Sequence, residues 1–464
     1  MYVFADPAAR AGLRRLLLCG LLLGCAPAVA QQPPWLRDQG PPPVFPEVVV
    51  SADWLESRLE REDVVCVDAR PSAAYQGGHL PGAVSLPMEA LPAASEAVPA
   101  DFGARLGRLG LAPGDTLVCY AGAGVHLDVA RLYWRLAEAG ATRLRVLEGG
   151  YETWRDRGGA CARTDAPRRA VDWDVPPDDA VHADADFVAR RFGEPGCEIL
   201  DARAEGSLST VELIETPDAS WRRGHVPHSL PVDFHLMVGD GGVLPSPEAL
   251  RDMLERIGPR RGTFVDTAAE FIVYDDGCSG RGALGCLLLR MAGVGRVRYF
   301  RGGWPAWSVG GDRPVVRIIE AGEVLARLCA GGRSPADSLP PADFLLLDVR
   351  TEMGFAGGHI PGGVRLTASQ MGDSLDVVLR RHWPAADPRR VPVTVYCWGT
   401  TCIRSRDGGT RLARLGLRNV EWFRGGLEAW EELGEPVHGS TLRRPVRPDS
   451  LRNRPVPERT GRKR

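Results

Sequence analysis

The sequence predicts an α/β protein of three tandem domains, each a mainly parallel sheet flanked by helices. Three observations carry this. At 464 residues the chain exceeds what one hydrophobic core ordinarily serves. Short β-branched runs alternate with helical segments, which is the pattern of parallel strands joined by helical crossovers. One ordered series of landmarks also occurs three times, the mark of an internal repeat.

Each copy opens with an apolar strand ending in Asp-x-Arg, at Val64 to Arg70, Glu198 to Arg203 and Phe344 to Arg350. A Gly-His-x-Pro turn follows, beginning at Gly78, Gly224 and Gly358. A second strand ends in Tyr120, Tyr274 or Tyr396, and each copy closes on Gly-Gly-x-x-x-Trp, at Gly149 to Trp154, Gly302 to Trp307 and Gly425 to Trp430. From the tyrosine to the first glycine of the pair the steps are 29, 28 and 29 residues. From the aspartate to the histidine they are 11, 24 and 11, so the middle copy carries an insertion of 13 residues around Ser207 to Trp221. The expected domains are 47–163, 180–313 and 319–438, with links at Thr164 to Asp179 and near Arg313 to Ile319. In parallel α/β sheets chemistry gathers at the carboxyl ends of strands, where the Asp-x-Arg and post-tyrosine positions both fall.

The flanks read differently. Arg10, Arg14 and Arg15 precede an apolar run from Leu16 to Gly24, and Ala28-Val29-Ala30 supplies a small-x-small cleavage pattern, so residues 1–30 are expected to be a secretory signal peptide. The expected location is periplasmic or otherwise exported. Leu22-Leu23-Gly24-Cys25 also resembles a lipoprotein processing box, which leaves anchoring through Cys25 open. Residues 31–46 form a proline-rich spacer, and 439–464 a basic tail expected to be disordered. No later run approaches the ~20 apolar residues of a membrane span.

Composition excludes several chemistries. Basic and acidic residues nearly balance, 57 against 59, so no global field argues for nucleic acid. Lys463 is the single lysine, which removes Schiff-base and phosphate-loop lysines. No cofactor or metal is expected. Of eleven cysteines, Cys19 and Cys25 fall in the signal, and the nine left are an odd number. Most are expected to be small buried hydrophobes.

Cys397 differs from these. The run Pro392 to Tyr396 reads as a strand, a small-residue loop of Trp398, Gly399, Thr400, Thr401 and Cys402 follows, and Ser405 to Leu415 reads as a helix. Backbone N–H groups of a tight loop and of a helix start favour a thiolate over a thiol at such a junction. The equivalent positions in the other copies are Ala121 and Asp275, neither of which can carry sulfur. Cys119 precedes its tyrosine and is expected to face the core, while Cys278 lies in the second copy's loop. The histidine of the Gly-His-x-Pro turn recurs in copies without a nucleophile, so His359 is expected to be structural, as are the three closing tryptophans.

Asp348 to Gly362, Val395-Tyr396-Cys397 and Gly425 to Trp430 together resemble a rhodanese domain, and all three copies share the likeness over about residues 44 to 440. The resemblance implies a sulfurtransferase active in the third domain. Cys397 would take sulfane sulfur from a small donor such as thiosulfate and pass it to a thiol or cyanide acceptor. Arg350, by its match to the family's Asp-x-Arg arginine, and Arg404 are the expected substrate-binding residues; an ion pair with Asp348 is the alternative for Arg350. The loop departs from the thiosulfate pattern, with Trp398-Gly399 where cations are usual, and from the Gly-Ser or Gly-Thr of mercaptopyruvate enzymes. Cys402 resembles the second loop cysteine of exported relatives, which opens the competing expectation: a non-catalytic or thiol-redox binding protein cycling the Cys397/Cys402 pair with a redox protein partner. A phosphatase loop needs Arg six residues after its cysteine, where Ile403 stands.

Overall fold

The computed structural model describes residues 48–439 except 94, 123–125, 167, 206–219, 240–243, 247, 251, 253–267, 310, 338–339, 342, 385–386 and 401. The expected signal segment, the proline-rich spacer, nearly all of the basic tail and most of the second-copy insertion lie outside the described residues.

The three repeats become three parallel sheets. The first contains β1 (Val49–Val50), β2 (Val64–Asp68), β3 (Val84–Ser85), β4 (Thr116–Tyr120) and β5 (Arg143–Leu147) in the order β1-β5-β4-β2-β3. The second contains β6 (Cys197–Asp201), β7 (Leu230–Pro231), β8 (Glu270–Tyr274) and β9 (Arg296–Phe300), ordered β7-β6-β8-β9. The third contains β10 (Val315–Ile318), β11 (Leu345–Asp348), β12 (Val364–Arg365), β13 (Val393–Tyr396) and β14 (Asn419–Phe423), ordered β10-β14-β13-β11-β12. Strands β2, β4, β8, β11 and β13 are buried along their whole length, as expected of parallel strands covered on both faces.

One boundary needs correction. Residues 313–319, expected to be a link, include β10, which pairs with β14 over Val315 to Ile318 and forms the edge of the third sheet. The third domain therefore begins before residue 319. The run is too short to read as a strand by alternation, and only its partner in the sheet identifies it.

The repeated landmarks form one repeated scaffold. In each copy the turn histidine stacks on the aromatic ring four residues earlier, Tyr75, Trp221 or Phe355, and its Nδ1–H donates to that residue's carbonyl. The strand-end tyrosine hydroxyl accepts from the N–H of Leu80, Val226 or Ile360 just past the histidine. The closing tryptophans are buried and donate Nε1–H to the carbonyls of Ala160, Pro314 and Pro436. His359 is thus a turn-building residue, as its recurrence implied.

Neighbouring copies share cores. The Arg281–Met291 helix buries nine of its residues because the second sheet covers one side and the first copy's His126–Glu138 helix the other. An ion pair between Arg301 and Glu138 crosses the same interface. Between the second and third copies, the Arg404–Arg414 helix leans on the second: Arg406 Nη2 donates to the His228 carbonyl at 2.8 Å, and Arg414 Nη1 to that of Phe192 at 3.2 Å. Trp221 meets Trp422 edge-on, with ring centroids 6.4 Å apart.

His228 sits in this interface under two costs. Its φ of 70° is the positive value that its counterparts Gly82 and Gly362 adopt without a side chain, and no other non-glycine among the described residues shares it. Burial also pulls its pKa down to about 3, as it does for His225. Both histidines are held neutral in the fold but charge readily when unfolded, at about 6.5. The unfolded chain then binds more protons between these values, so their contribution is intact above about 6.5 and is lost progressively as pH falls towards 3. His228→Gly is expected to lose less stability between pH 7 and pH 5 than the parent, as read by urea unfolding at the two pH values. An equal loss would remove His228 from the account.

Candidate active site in the third copy

Tyr396 ends β13, and Cys397 is the first residue beyond it, at the carboxyl edge of the sheet beside Asp348 on β11. The loop that follows is anchored at both ends. Leu427 N–H donates to the Cys397 carbonyl at 3.0 Å and Glu428 N–H to that of Trp398 at 2.9 Å, so the Gly426–Glu432 helix start holds the loop's entry. Cys402 N–H donates to the Gly399 carbonyl at 3.0 Å and closes a turn, which takes that donor out of the set open to an anion. Ser405 Oγ donates to the Cys402 carbonyl and accepts from Trp422 Nε1.

The Gly-Gly landmark is explained by this approach. Gly426 has φ of +57°, and a Cβ there would lie 2.5 Å from the Cys397 carbonyl oxygen. Gly150 and Gly303 stand likewise against the carbonyls of Ala121 and Asp275. The residues after them, Tyr151 and Trp304, donate their N–H groups to those same carbonyls. Ala121, Asp275 and Cys397 therefore occupy one equivalent place in three dimensions.

That place has three different chemistries. Ala121 is inert. Asp275 is fully buried, and its carboxylate accepts from the N–H of Gly277 and Gly282 and from the hydroxyls of Ser279 and Tyr299. The second copy's loop thus turns its donors inward onto its own side chain. In the third copy Cys397 is 1% exposed and its sulfur is bonded to that of Cys402, with the two Cα atoms 6.4 Å apart, inside the ordinary disulfide range.

The remaining predicted residues fall at known places. Trp398 is 36% exposed, and Gly399 is buried against the Glu428 side chain, which a Cβ at 399 would strike. Thr400 is exposed, while Thr401 lies outside the described residues. Arg404 is exposed at the first turn of the Arg404–Arg414 helix. Arg350 is fully buried: its backbone N–H and Nε–H donate to Asp348, Nη2 reaches Asp348 Oδ2 at 2.5 Å, and the Gly358 carbonyl accepts from Nη2 at 2.6 Å. Arg70 and Arg203 make the same clamp in the other copies. The ion-pair alternative for Arg350 is thus formed, alongside whatever its remaining nitrogen does.

Other cysteines are poor competitors. Burial pushes the Cys66 thiol up to about 12 and that of Cys197 to about 11, and it raises Cys119 and Cys286 as well. Cys278 is exposed, but the neighbouring Asp276 carboxylate raises its pKa. Sequence reasoning missed Glu428, Ser405 and Trp422 as neighbours of the loop, because each acts through tertiary proximity; the fixed offset of Glu428 from the Gly-Gly pair was the one signal available.

Tandem parallel α/β domains, each with an equivalent position just past the carboxyl end of a central strand, define the class of fold. The Rhodanese-like domain model matches residues 51–157, 184–309 and 335–433, and the chain belongs to that family. It is 29% identical over 290 residues to a probable 3-mercaptopyruvate sulfurtransferase of Pseudomonas aeruginosa, covering 58% of this chain and 97% of that protein. It is 26% identical over 239 residues to a putative thiosulfate sulfurtransferase of Saccharopolyspora erythraea, covering 49% of this chain and 81% of that one. Among solved structures, the Escherichia coli 3-mercaptopyruvate sulfotransferase SseA aligns at 22% identity with a TM-score of 0.45, over 55% of this chain and 98% of that one. Among the described residues no cluster of His, Cys, Asp and Glu could hold a metal, and no helix is long and apolar enough to cross a membrane.

Proposed function

We propose that the chain is a sulfurtransferase whose third domain carries the chemistry, with Cys397 as the nucleophile and the first two domains as supports. The observation that carries this reading is that, of three equivalent strand-end positions, Cys397 alone bears sulfur. In the reaction the Cys397 thiolate attacks the outer sulfur of thiosulfate, the S–S bond breaks, and sulfite leaves with the electron pair. A Cys397 persulfide remains. Cyanide or a thiolate then takes the outer sulfur, and the Cys397 thiolate returns, giving ping-pong kinetics. Loop N–H groups stabilise the anionic intermediates as an oxyanion hole does. Arg404, exposed beside the loop, and Arg350 favour an anionic donor. The sulfurtransferase names of the relatives support this class of reaction.

The Cys397–Cys402 disulfide favours a second stage on the same site. Cys402 thiolate attacks the inner sulfur of the persulfide, hydrogen sulfide leaves, and the disulfide forms. A dithiol redox partner must then reduce it before the next turnover. In an oxidising compartment the same bond protects the nucleophile. Export is part of this proposal, and N-terminal sequencing of the protein recovered from cells is expected to begin at Gln31, or to be blocked at Cys25 by lipid. An intact Met1 would remove export.

The direct test is mass spectrometry of the peptide that contains both cysteines. In Cys402→Ser, which cannot resolve the persulfide, the same peptide is expected after reduction and exposure to thiosulfate to gain one sulfur atom on Cys397. No gain with any sulfane donor would sink sulfur transfer and leave the thiol-redox binding protein.

A further inference from the structure

Every copy buries a guanidinium clamped to the aspartate two residues before it, and every guanidinium faces an aromatic ring. In the first copy the ring is Tyr151, its centroid 3.7 Å from Arg70 Cζ; in the second it is Trp304, 4.5 Å from Arg203 Cζ. Both are the residue directly after the Gly-Gly pair. In the third copy that residue is Leu427, and the facing ring comes instead from the cysteine loop, as Trp398, 4.2 Å from Arg350 Cζ.

Arg350 is also the most enclosed of the three, its side chain 0% exposed against 7% for Arg70 and 9% for Arg203. Its Nη1 is fully buried and has no hydrogen-bond partner among the described residues. An orphaned charged donor in a dry place is costly. A ring face attracts the cation but accepts no directed hydrogen bond, whereas an anion would do both. Trp398 rests against Gly354 on one side, where a Cβ would lie 3.0 Å from its Cζ2, yet it stays 36% exposed at the protein surface.

We propose that Trp398 is a specificity-determining positioning residue, an indole cap over the Arg350 guanidinium that an anionic sulfur donor must displace to reach its unpartnered Nη1. The proposal rests on the reading of Cys397 as nucleophile. Because the cap belongs to the same loop as the cysteine, uncovering the arginine and rearranging the loop are one event. The other two copies, whose rings stand on the Gly-Gly helix, lack this link.

The test uses the full chain with Cys397→Ser, reduced, titrated calorimetrically with thiosulfate and with dimethyl trisulfide as an uncharged sulfane donor. Adding Trp398→Ala is expected to tighten thiosulfate binding at least fivefold and leave the trisulfide unchanged, and Trp398→Phe to restore the parent value. In the chain that retains Cys397, Trp398→Ala is expected to lower KM for thiosulfate with kcat held. Unchanged, weaker or undetectable thiosulfate binding overturns the proposal. So does equal tightening for both probes, since the indole would then be a mere steric plug. Absence of sulfur transfer in the unmutated chain, with the binding difference intact, would remove the proposed function and leave the cap standing.

Discussion

Cys397→Ser is expected to lower thiocyanate formation from thiosulfate and cyanide by at least about 10³-fold in the reduced protein, because a hydroxyl in place of the thiolate leaves no atom to carry the sulfane sulfur. Cys278→Ser and Cys119→Ser are expected to keep full activity: Cys119 is buried in the first core, and Cys278 lies in a loop whose donors serve Asp275 and Asp276. The oxidised parent should be as inactive as Cys397→Ser until a dithiol is added, since Cys397 is tied to Cys402. Cys402→Ser should transfer sulfur and no longer require the reductant. Full activity in Cys397→Ser would place the chemistry elsewhere and overturn the assignment to the third copy.

Asp348→Ala is the change expected to cost most in stability. Asp348 is fully buried and accepts from the backbone N–H, Nε and Nη2 of Arg350, a guanidinium that is itself fully enclosed. Removing the carboxylate strands a buried cation, which ordinarily costs about 3–5 kcal/mol. The double change Asp348→Ala with Arg350→Met removes the stranded charge and should recover much of that loss. Urea unfolding of the parent, both single variants and the double variant measures the coupling. A double variant no more stable than Asp348→Ala would show that the clamp's worth lies in packing and not in its charges.

The cysteine position and the architecture were legible from residues because the repeat supplied two internal controls. Ala121, Asp275 and Cys397 could be aligned by the tyrosine before them and the Gly-Gly pair after them, and in the structure each carbonyl accepts from the N–H of the residue that follows that pair, Tyr151, Trp304 or Leu427. The role of His359 was legible for the same reason. What the residues could not show was commitment of atoms already in place. Arg350 reads equally as an anion binder or as the ion-pair partner of Asp348 until its Nε and Nη2 are found on Asp348 and Gly358 and its Nη1 is left over. Asp275 reads only as a residue that cannot carry sulfur, whereas it is the internal acceptor for its loop's N–H groups. The edge strand β10 reads as a link because four residues carry too little pattern to declare themselves without a neighbour.

By itself, then, the sequence determined the threefold repeat, the parallel α/β class, the surviving cysteine and the presence of a second cysteine five residues on, because periodicity and spacing are local properties of a chain. Tertiary structure alone decided that the two sulfurs meet, that Trp398 covers Arg350 where Leu427 supplies no ring, and that His228 and Trp221 of the second copy reach the helix behind the loop and Trp422 of β14. Those outcomes depend on distances between residues far apart along the chain, and such distances exist only once the sheets have packed.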